Sequence, residues 1–600
     1  MSVFIESIII NNFLSCKKTE VLLSPFTPLV GYNNAGKSNI LSAIKWLLEK
    51  RVINIDETFL KNESEVYVSA EISGIDENTL SLLTDVNIKK IKPYIKNGKI
   101  KIRRYQGKVN GAKAADVKFE VCDDNGNWKS NPGGIEESIK NIFPEIIHIK
   151  AMSDSVEDST KYKTNTTIGK LLLQIVSEIN EEHTQKFNEA IGIISDQLSF
   201  DGRARFKRLD DTDDGINEII TNYFPDIKVK LHFETPSLED IFKSGTLKIF
   251  EYDNDMRDMS MLGHGTQRTI QMALIQYLAK LKSNVIGNKK KPNILLLIDE
   301  PELYLHPTAI ELLREALILL SENNYQVIIT THSGMMITSE IAKDSVLVRK
   351  GADYSTYVRK TIKEAMSEKS NDPDQKHHME TLFTLTNASK ILFSECVILV
   401  EGKTEMRVLE PLFKKVKGYT LASKKICLLS IEGKTAIAKV KSILKALDIP
   451  NKTITDLDYI TLAMKQGFIE DNDDDIDEVK KSFKILKSEN SDIKLDDAGF
   501  PKKNKAKGIS ASSVYSLLGN DERFEPIINR IKEKLKSSDI YIWSCGDIES
   551  AFGFDDKDES QWMEFKRDLI SKDSDNWKTI VAKPMIIEEL VNWMELIEHH

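Results

Sequence analysis

Apolar positions along this chain change period several times, and each change predicts an element. Residues 3–10 (VFIESIII), 19–23 and Phe26 to Val30 are apolar runs of strand length. From Ile40 the period lengthens, and Ile40, Leu41, Ile44, Leu47 and Leu48 recur at the spacing of one helix face. Alternation returns at Val66, Val68, Ala70 and Ile72, then over 99–105 and 116–122, with Asp124-Asn125-Gly126 as a turn signal. This predicts an antiparallel β subdomain, broken at Asn131-Pro132-Gly133-Gly134. Between 166 and 200 the pattern is helical: Ile168, Leu171, Leu172, Ile175 and Ile179, then Phe187, Ile191, Ile194 and Leu198. That stretch reads as an inserted helical subdomain, either a self-association element or an ordinary buried helix pair.

Continuous apolar strands follow. One runs from Asn293 into Asp299 and Glu300, and another from Gln326 into Thr331, His332 and Ser333. Both put polar side chains at the C-terminal end of a buried strand, where open α/β sheets bind ligands. Before them, Ser260 to Arg268 (SMLGHGTQR) opens a helix that runs to about Leu281. Residues 351–390 are polar and read as a linker with helical parts. A second α/β pattern starts with the strand Cys396 to Val400, followed by Glu401 and a helix, and a later strand leads to Thr455-Asp456-Leu457-Asp458. The expected organisation is a first domain over 1–350 with a helical insertion at about 150–250, a linker over 351–392 and a second domain over 393–600.

A chain of 600 residues has room for several cores, and its net charge of −9 gives no whole-chain reason to expect a nucleic-acid partner. Local patches must carry that argument. Three exist: Lys89, Lys90, Lys92, Lys96, Lys99, Lys101, Arg103 and Arg104; Arg203, Arg205, Lys207 and Arg208; and Lys502, Lys503, Lys505 and Lys507. Each is either a DNA contact or a solvated face. The acidic run Glu470 to Glu478 reads as an exposed loop. The five cysteines form no C-x-x-C pair, which argues against a zinc ribbon or disulfide framework and suits a reducing cytoplasm. No secretory leader pattern opens the sequence, and no apolar run approaches the ~18 residues of a membrane span. The expectation is a cytoplasmic protein with no membrane partner.

Two constellations carry chemistry. The first is Gly31-Tyr32-Asn33-Asn34-Ala35-Gly36-Lys37-Ser38, which fits G-x-x-x-x-G-K-[ST] between a strand and a helix. Its glycines let the backbone curl around phosphate oxygens, and its N–H groups with the helix N-terminus present positive partial charge. Gly31, Asn34, Gly36, Lys37, Ser38 and Asn39 are therefore the expected ATP contacts, with Lys37 on the β/γ-phosphates and Ser38 on Mg²⁺. Gly402-Lys403-Thr404 and Gly433-Lys434-Thr435 end alike, but Val397 and Leu428 stand where the first glycine belongs, so both are rejected as nucleotide loops. Asp299 can hold Mg²⁺ through water, Glu300 can polarise an attacking water, and His332 can sense the γ-phosphate. Gly263, Gly265 and Gln267 lie in a turn whose N–H groups can also meet phosphate.

The second constellation is acidic. Glu401 ends one strand, and Glu405 lies one helical turn on. Asp456 and Asp458 share a face at the end of another strand. Four carboxylates gathered at strand ends are costly unless they bind cations, and oxygen ligands suit Mg²⁺ or Mn²⁺. Two such ions can stabilise both oxygens of a phosphodiester displacement. Asp547 and Glu549 are candidate further ligands, and Lys583 a candidate neutraliser of phosphate charge.

Phosphate loop, Gly-rich turn, Asp-Glu strand and Thr-His-Ser strand, in this order, resemble an ATP-binding-cassette (ABC) ATPase head with the split arrangement of the SMC and RecF group. That resemblance implies a homodimer in which the Gly263–Gln267 turn of one subunit completes the other's ATP site. The turn departs from the group's usual Leu-Ser-Gly-Gly-Gln. Glu401-Gly402-Lys403-Thr404-Glu405 followed by Asp456-Leu457-Asp458 looks like a Toprim domain. An ABC-type head followed by Toprim is similar to the OLD (overcoming lysogenisation defect) family of ATP-dependent nucleases, including antiviral effectors of Gabija and retron systems. The resemblance implies a metal-dependent DNA endonuclease or nickase, regulated by nucleotide, that assembles as a homodimer or homotetramer. It also implies a defence partner such as a reverse transcriptase with its RNA–DNA, or a helicase. The alternative is a non-catalytic, ATP-gated DNA-binding or repair protein of the SMC or RecF type.

Overall fold

Strands form where apolar positions alternate or run unbroken, and helices where they recur every three to four residues. The structure, a computed structural model, describes residues 3–596 apart from 82, 143–144, 152–180, 238–239, 242–246, 252–254, 284–293, 324, 365–387, 432, 471, 555–558 and 572–573. The chain divides into two units: Met1–Ile5, Glu71–Ile102 and Phe119–Ile329 in one, and Glu6–Ala70, Arg103–Lys118 and Thr330–His600 in the other.

In the second unit, Phe4–Phe13 from Glu6 onward pairs antiparallel with Cys16–Leu22, and the strand Phe26–Val30 lies parallel to Val346–Lys350. The helix Lys37–Leu48 buries Ile40, Leu41, Ile44, Leu47 and Leu48, the face its spacing predicts. Phe13 stacks on Trp46 of that helix, with ring centroids 5.8 Å apart. The stretch read as a linker contains structure of its own: Thr356–Val358 pairs antiparallel with Val346–Lys350, and a short helix spans Ala388–Ile391.

Further along, four parallel strands form one sheet in the order Ile426–Ser430, Cys396–Val400, Asn451–Thr455 and Ile540–Ile542. Parallel strands covered on both faces are apolar throughout, and Cys396–Val400 is buried at every position. Val400 is in register with Ser430 and Ile454, so the residues that follow these strands emerge along one edge of the sheet. Helix Lys403–Lys417 packs Val408, Leu409, Leu412 and Phe413 into a core shared with Trp543, Phe552, Trp562 and Leu590. The acidic run is loop only in its first part; from Asp474 onward it is helix. Asp473 caps the helix Asp474–Glu489 and accepts from the Asp475 N–H at 2.9 Å. Acids at a helix N-terminus complement its dipole, and Lys534 and Arg530 pair with Asp473, Asp475 and Glu478 at 2.5–2.7 Å.

In the first unit, Ile294–Asp299 lies parallel to Glu145–Ile149 and is buried from Ile294 to Ile298. The helix His264–Ser283 follows the Gly-rich turn. Of the helical stretch expected over 166–200, residues 166–180 lie outside the described residues; Glu181–Leu198 is a helix, and Lys207–Thr221 is another. No helix of the described residues is long and apolar enough to cross a membrane.

Candidate nucleotide and metal sites

The phosphate loop is shaped by contacts that only glycine admits at two positions. A Cβ on Gly31 would lie 2.4 Å from the Val348 carbonyl oxygen, and one on Gly36, at φ 105°, would lie 2.0 Å from Thr356 Oγ1. Asn34 also has a left-handed backbone, with φ 65°. Lys37 is buried, and its Nζ donates to the carbonyls of Gly31 at 2.9 Å and Tyr32 at 3.1 Å and meets His332 Nε2 at 2.9 Å. The expected phosphate-binding lysine and γ-phosphate sensor are thus neighbours. Ser38 is exposed at the helix start, free of burial that would keep an ion from it. Asn39 has a different place: its Nδ2 donates to Ser15 Oγ at 2.6 Å, and Ser15 in turn meets Thr356 Oγ1 at 2.6 Å. It braces the loop from behind. Thr356, in the stretch read as a linker, donates to the Ala35 carbonyl at 2.9 Å and was missed for that reason.

In the other unit the structure brings the Gly-rich turn to the Asp299–Glu300 strand end. Gly265 sits against the backbone of Tyr304, where a Cβ would be 2.7 Å from the carbonyl oxygen, while Gly263 faces open space. His264 stacks on the Tyr304 ring at 5.2 Å. Arg268, buried, reaches the carbonyls of Asp299 at 3.3 Å and Glu300 at 3.4 Å. Glu300 holds φ 47°, a conformation costly for a non-glycine residue and found at functional sites. The Gln267 side chain turns inward and donates to the Met259 and Leu262 carbonyls at 3.0 and 2.8 Å, so it shapes the turn.

At the edge of the four-stranded sheet the second constellation closes. Glu401 follows Cys396–Val400, and its Oε1 accepts from the Asp456 N–H at 3.0 Å and from Thr455 Oγ1. The carboxylate is thereby fixed by the neighbouring strand end. Glu405, buried in the first turn of its helix, brings Oε2 to within 3.5 Å of where a Cβ on Gly402 would stand. Asp456 is buried and Asp458 lies one 3-10 step on.

Among these acids sits a residue that sequence reasoning set aside. Lys434 Nζ lies 3.4 Å from Glu401 Oε2, 3.4 Å from Asp456 Oδ2 and in contact with Asp458 Oδ1. Burial disfavours its ammonium, but Asp456, Glu401 and Asp458 outweigh burial and hold it well above the ordinary lysine range. Gly433-Lys434-Thr435 is indeed no phosphate loop. The signal that could have found it was its place directly after the strand Ile426–Ser430, at the same sheet edge as the acids.

The remaining candidates divide. Asp547 caps the helix Ile548–Phe552, and both its oxygens meet protein donors, Ser550 N–H at 2.8 Å and Ser516 Oγ at 2.9 Å. Glu549 is buried in the first turn of that helix. Lys583 is exposed ahead of the helix Pro584–Glu595, and its N–H donates to the Ala551 carbonyl at 3.0 Å. Burial pushes the Cys545 thiol up to about 12; Asp547 and Asp456 add to that push and Lys583 opposes it.

Three carboxylates from two strand ends around one cation fit the donor set of Mg²⁺ or Mn²⁺. Among the described residues, no group of three or more histidine, cysteine or acidic side chains is arranged to hold a metal ion; at the sheet edge it is the Lys434 ammonium that stands among the acids.

The basic patches are partly spent inside the fold. Arg104 is buried and donates to the Leu47 carbonyl at 3.2 Å, Lys99 and Lys101 both pair with Glu71 at 3.1 Å, and Arg205 pairs with Asp210 and Asp213. Lys502, Lys503 and Lys505 are exposed.

Residues 4–337 match the AAA ATPase domain family, and residues 392–458 match the family described as overcoming lysogenization defect protein-like, TOPRIM domain. The chain is 43% identical over 599 residues to the Old nuclease of Escherichia phage P2, which covers 99% of this chain and 100% of that protein. It is 22% identical over 469 residues to the OLD nuclease of Thermus scotoductus, covering 75% of this chain and 81% of that one. It is also 22% identical over 477 residues to Endonuclease GajA of Bacillus cereus, covering 74% and 75%.

Proposed function

This chain belongs to the OLD nuclease family, an ABC-type ATPase head followed by a Toprim domain, and we propose that it is a nucleotide-regulated, divalent-metal-dependent DNA endonuclease or nickase serving anti-phage defence. The observation that carries the reading is the meeting of Glu401, Asp456 and Asp458 around one cationic position at the C-terminal edge of a parallel sheet. Glu401, Asp456 and Asp458 would hold the first ion, with the buried Glu405 and Glu549 as proposed ligands of a second and Asp547 as a further candidate that also caps its helix. Bound there, Mg²⁺ or Mn²⁺ stabilises the charge on the oxygens of a phosphodiester displacement. The chain's own part is to pre-set Glu401 through Thr455 and the Asp456 N–H, and to offer the Lys583 ammonium to the phosphate.

The head supplies control. Gly31, Gly36, Lys37 and Ser38 would take the ATP phosphates and Mg²⁺, with His332 beside Lys37 and with Asp299 and Glu300 as the acids of the hydrolytic step. A second copy would complete each ATP site with its Gly263–Gln267 turn, giving a homodimer or homotetramer. Exposed Ile193, Ile219, Tyr223 and Phe224 in the 150–250 insertion support self-association there. The domain division at 1–350, 351–392 and 393–600 belongs to this proposal, with Thr356–Val358 counted to the head. The partners are DNA, met by Lys502, Lys503 and Lys505, and a defence component such as a reverse transcriptase with its RNA–DNA or a helicase. The free cysteines suit a reducing cytoplasm.

Incubating the purified chain with supercoiled plasmid, with and without ATP, tests the reading. Nicked or linear product in Mg²⁺ or Mn²⁺, absent in EDTA, is expected. Cutting that ignores EDTA, or none in either metal under every nucleotide condition, contradicts it.

A further inference from the structure

Gly433 adopts φ 132° just before Lys434, so the loop after the strand Ile426–Ser430 turns at a residue without a side chain. That turn sends Lys434 across the sheet edge, where it lies within 3.4 Å of carboxylates from Glu401 and Asp456 and touches Asp458. Gathering three acids with 9–23% side-chain exposure costs mutual repulsion that a cation relieves. Protein oxygens hold Mg²⁺ at about 2.0–2.1 Å. An ion seated among the same oxygens therefore cannot share the space with the ammonium.

Resting on the metal-site reading, we propose that Lys434 is a positioning residue and a built-in competitor of the metal: it holds Glu401, Asp456 and Asp458 in register while the site is empty, and a divalent ion binds by displacing it. A lysine suits this role better than an arginine. Its compact ammonium sits on a flexible stem, so it can leave without dismantling a planar fork of hydrogen bonds.

The test uses the full chain, stripped with EDTA and free of nucleotide, so that the ATP site holds no Mg²⁺. Mn²⁺ affinity is measured by calorimetry, and melting temperature is read in EDTA and in saturating Mn²⁺. Lys434→Met is expected to bind Mn²⁺ about tenfold more tightly than wild type, since one competing charge is gone. It should melt lower than wild type in EDTA, with the gap closing in Mn²⁺. Lys434→Arg should keep the wild-type melting temperature in EDTA and gain no Mn²⁺ affinity. A Lys434→Met chain that melts cooperatively and binds Mn²⁺ no better than wild type overturns the inference. Asp456→Asn separates the two levels. If it removes Mn²⁺ binding while Lys434→Met changes nothing, only the role of Lys434 falls; if Mn²⁺ binding survives Asp456→Asn, the metal-site reading falls with it.

Discussion

The Lys425 ammonium lies 3.3 Å from the centre of the Tyr32 ring. Tyr32 is part of the phosphate loop, and its backbone carbonyl accepts from Lys37 at 3.1 Å. Lys425 stands just before the strand Ile426–Ser430, and its carbonyl accepts at 2.8 Å from the N–H of Glu395, one residue before the strand Cys396–Val400 that leads to Glu401. Arg349 runs alongside and donates to the Leu392 and Ser394 carbonyls at 2.9 Å each. A continuous set of packed contacts thus joins the nucleotide loop to the strands that carry the acids.

Tyr32→Ala removes the aromatic face and the acceptor for the Lys350 N–H. A desolvated cation–π contact contributes about 2 kcal/mol, so up to roughly thirtyfold of coupling can pass through it. The expected outcome is a chain that still binds ATP and still cuts, but whose ratio of cutting rates with and without ATP moves toward one. Plasmid assays in both conditions measure this ratio, and an unchanged value would remove Tyr32 from the coupling.

Lys37→Ala takes away the cation meant for the phosphates and the partner of His332. Loss of a charge-assisted contact of this kind weakens binding by at least about tenfold. Titration with a fluorescent ATP analogue should show that loss, and cutting by this variant should no longer respond to ATP in either direction.

Glu595 offers a pH test away from the site. Lys417 at 2.7 Å, the Tyr419 hydroxyl and Lys424 at 3.3 Å hold its carboxylate down to about 2. An unfolded glutamate titrates near ~4.3, so this contribution to stability is complete above that pH and lost as pH falls through the folded value. Glu595→Gln should therefore melt lower than wild type at pH 7, with the difference shrinking below about pH 4. A constant difference from pH 7 to pH 3 would contradict the assignment.

Local patterns carried much of this in the sequence. The strand Phe26–Val30, the helix Lys37–Leu48 and the strand Cys396–Val400 are set by apolar spacing and by glycines within a few residues, so they could be read directly. Lys434 could not. Its meaning depends on carboxylates 22 and 24 residues away at another strand end, and its Gly-Lys-Thr context pointed to the wrong chemistry. The second half of the acidic run was misread for the same reason: Lys534, 61 residues beyond Asp473, turns a line of repelling charges into a paired helix start. Asn39 and Gln267 look like ligands in their motifs, yet their side chains are turned to Ser15 and to the Met259 carbonyl.

The central claim is that phosphodiester cleavage takes place at the Toprim sheet edge while the phosphate loop only controls it. Asp456→Ala tests it most directly, in one preparation assayed for plasmid cutting in Mg²⁺ and Mn²⁺ and for ATP binding. The account predicts that cutting disappears and ATP binding stays at the wild-type level. A variant that cuts as fast as wild type would contradict it.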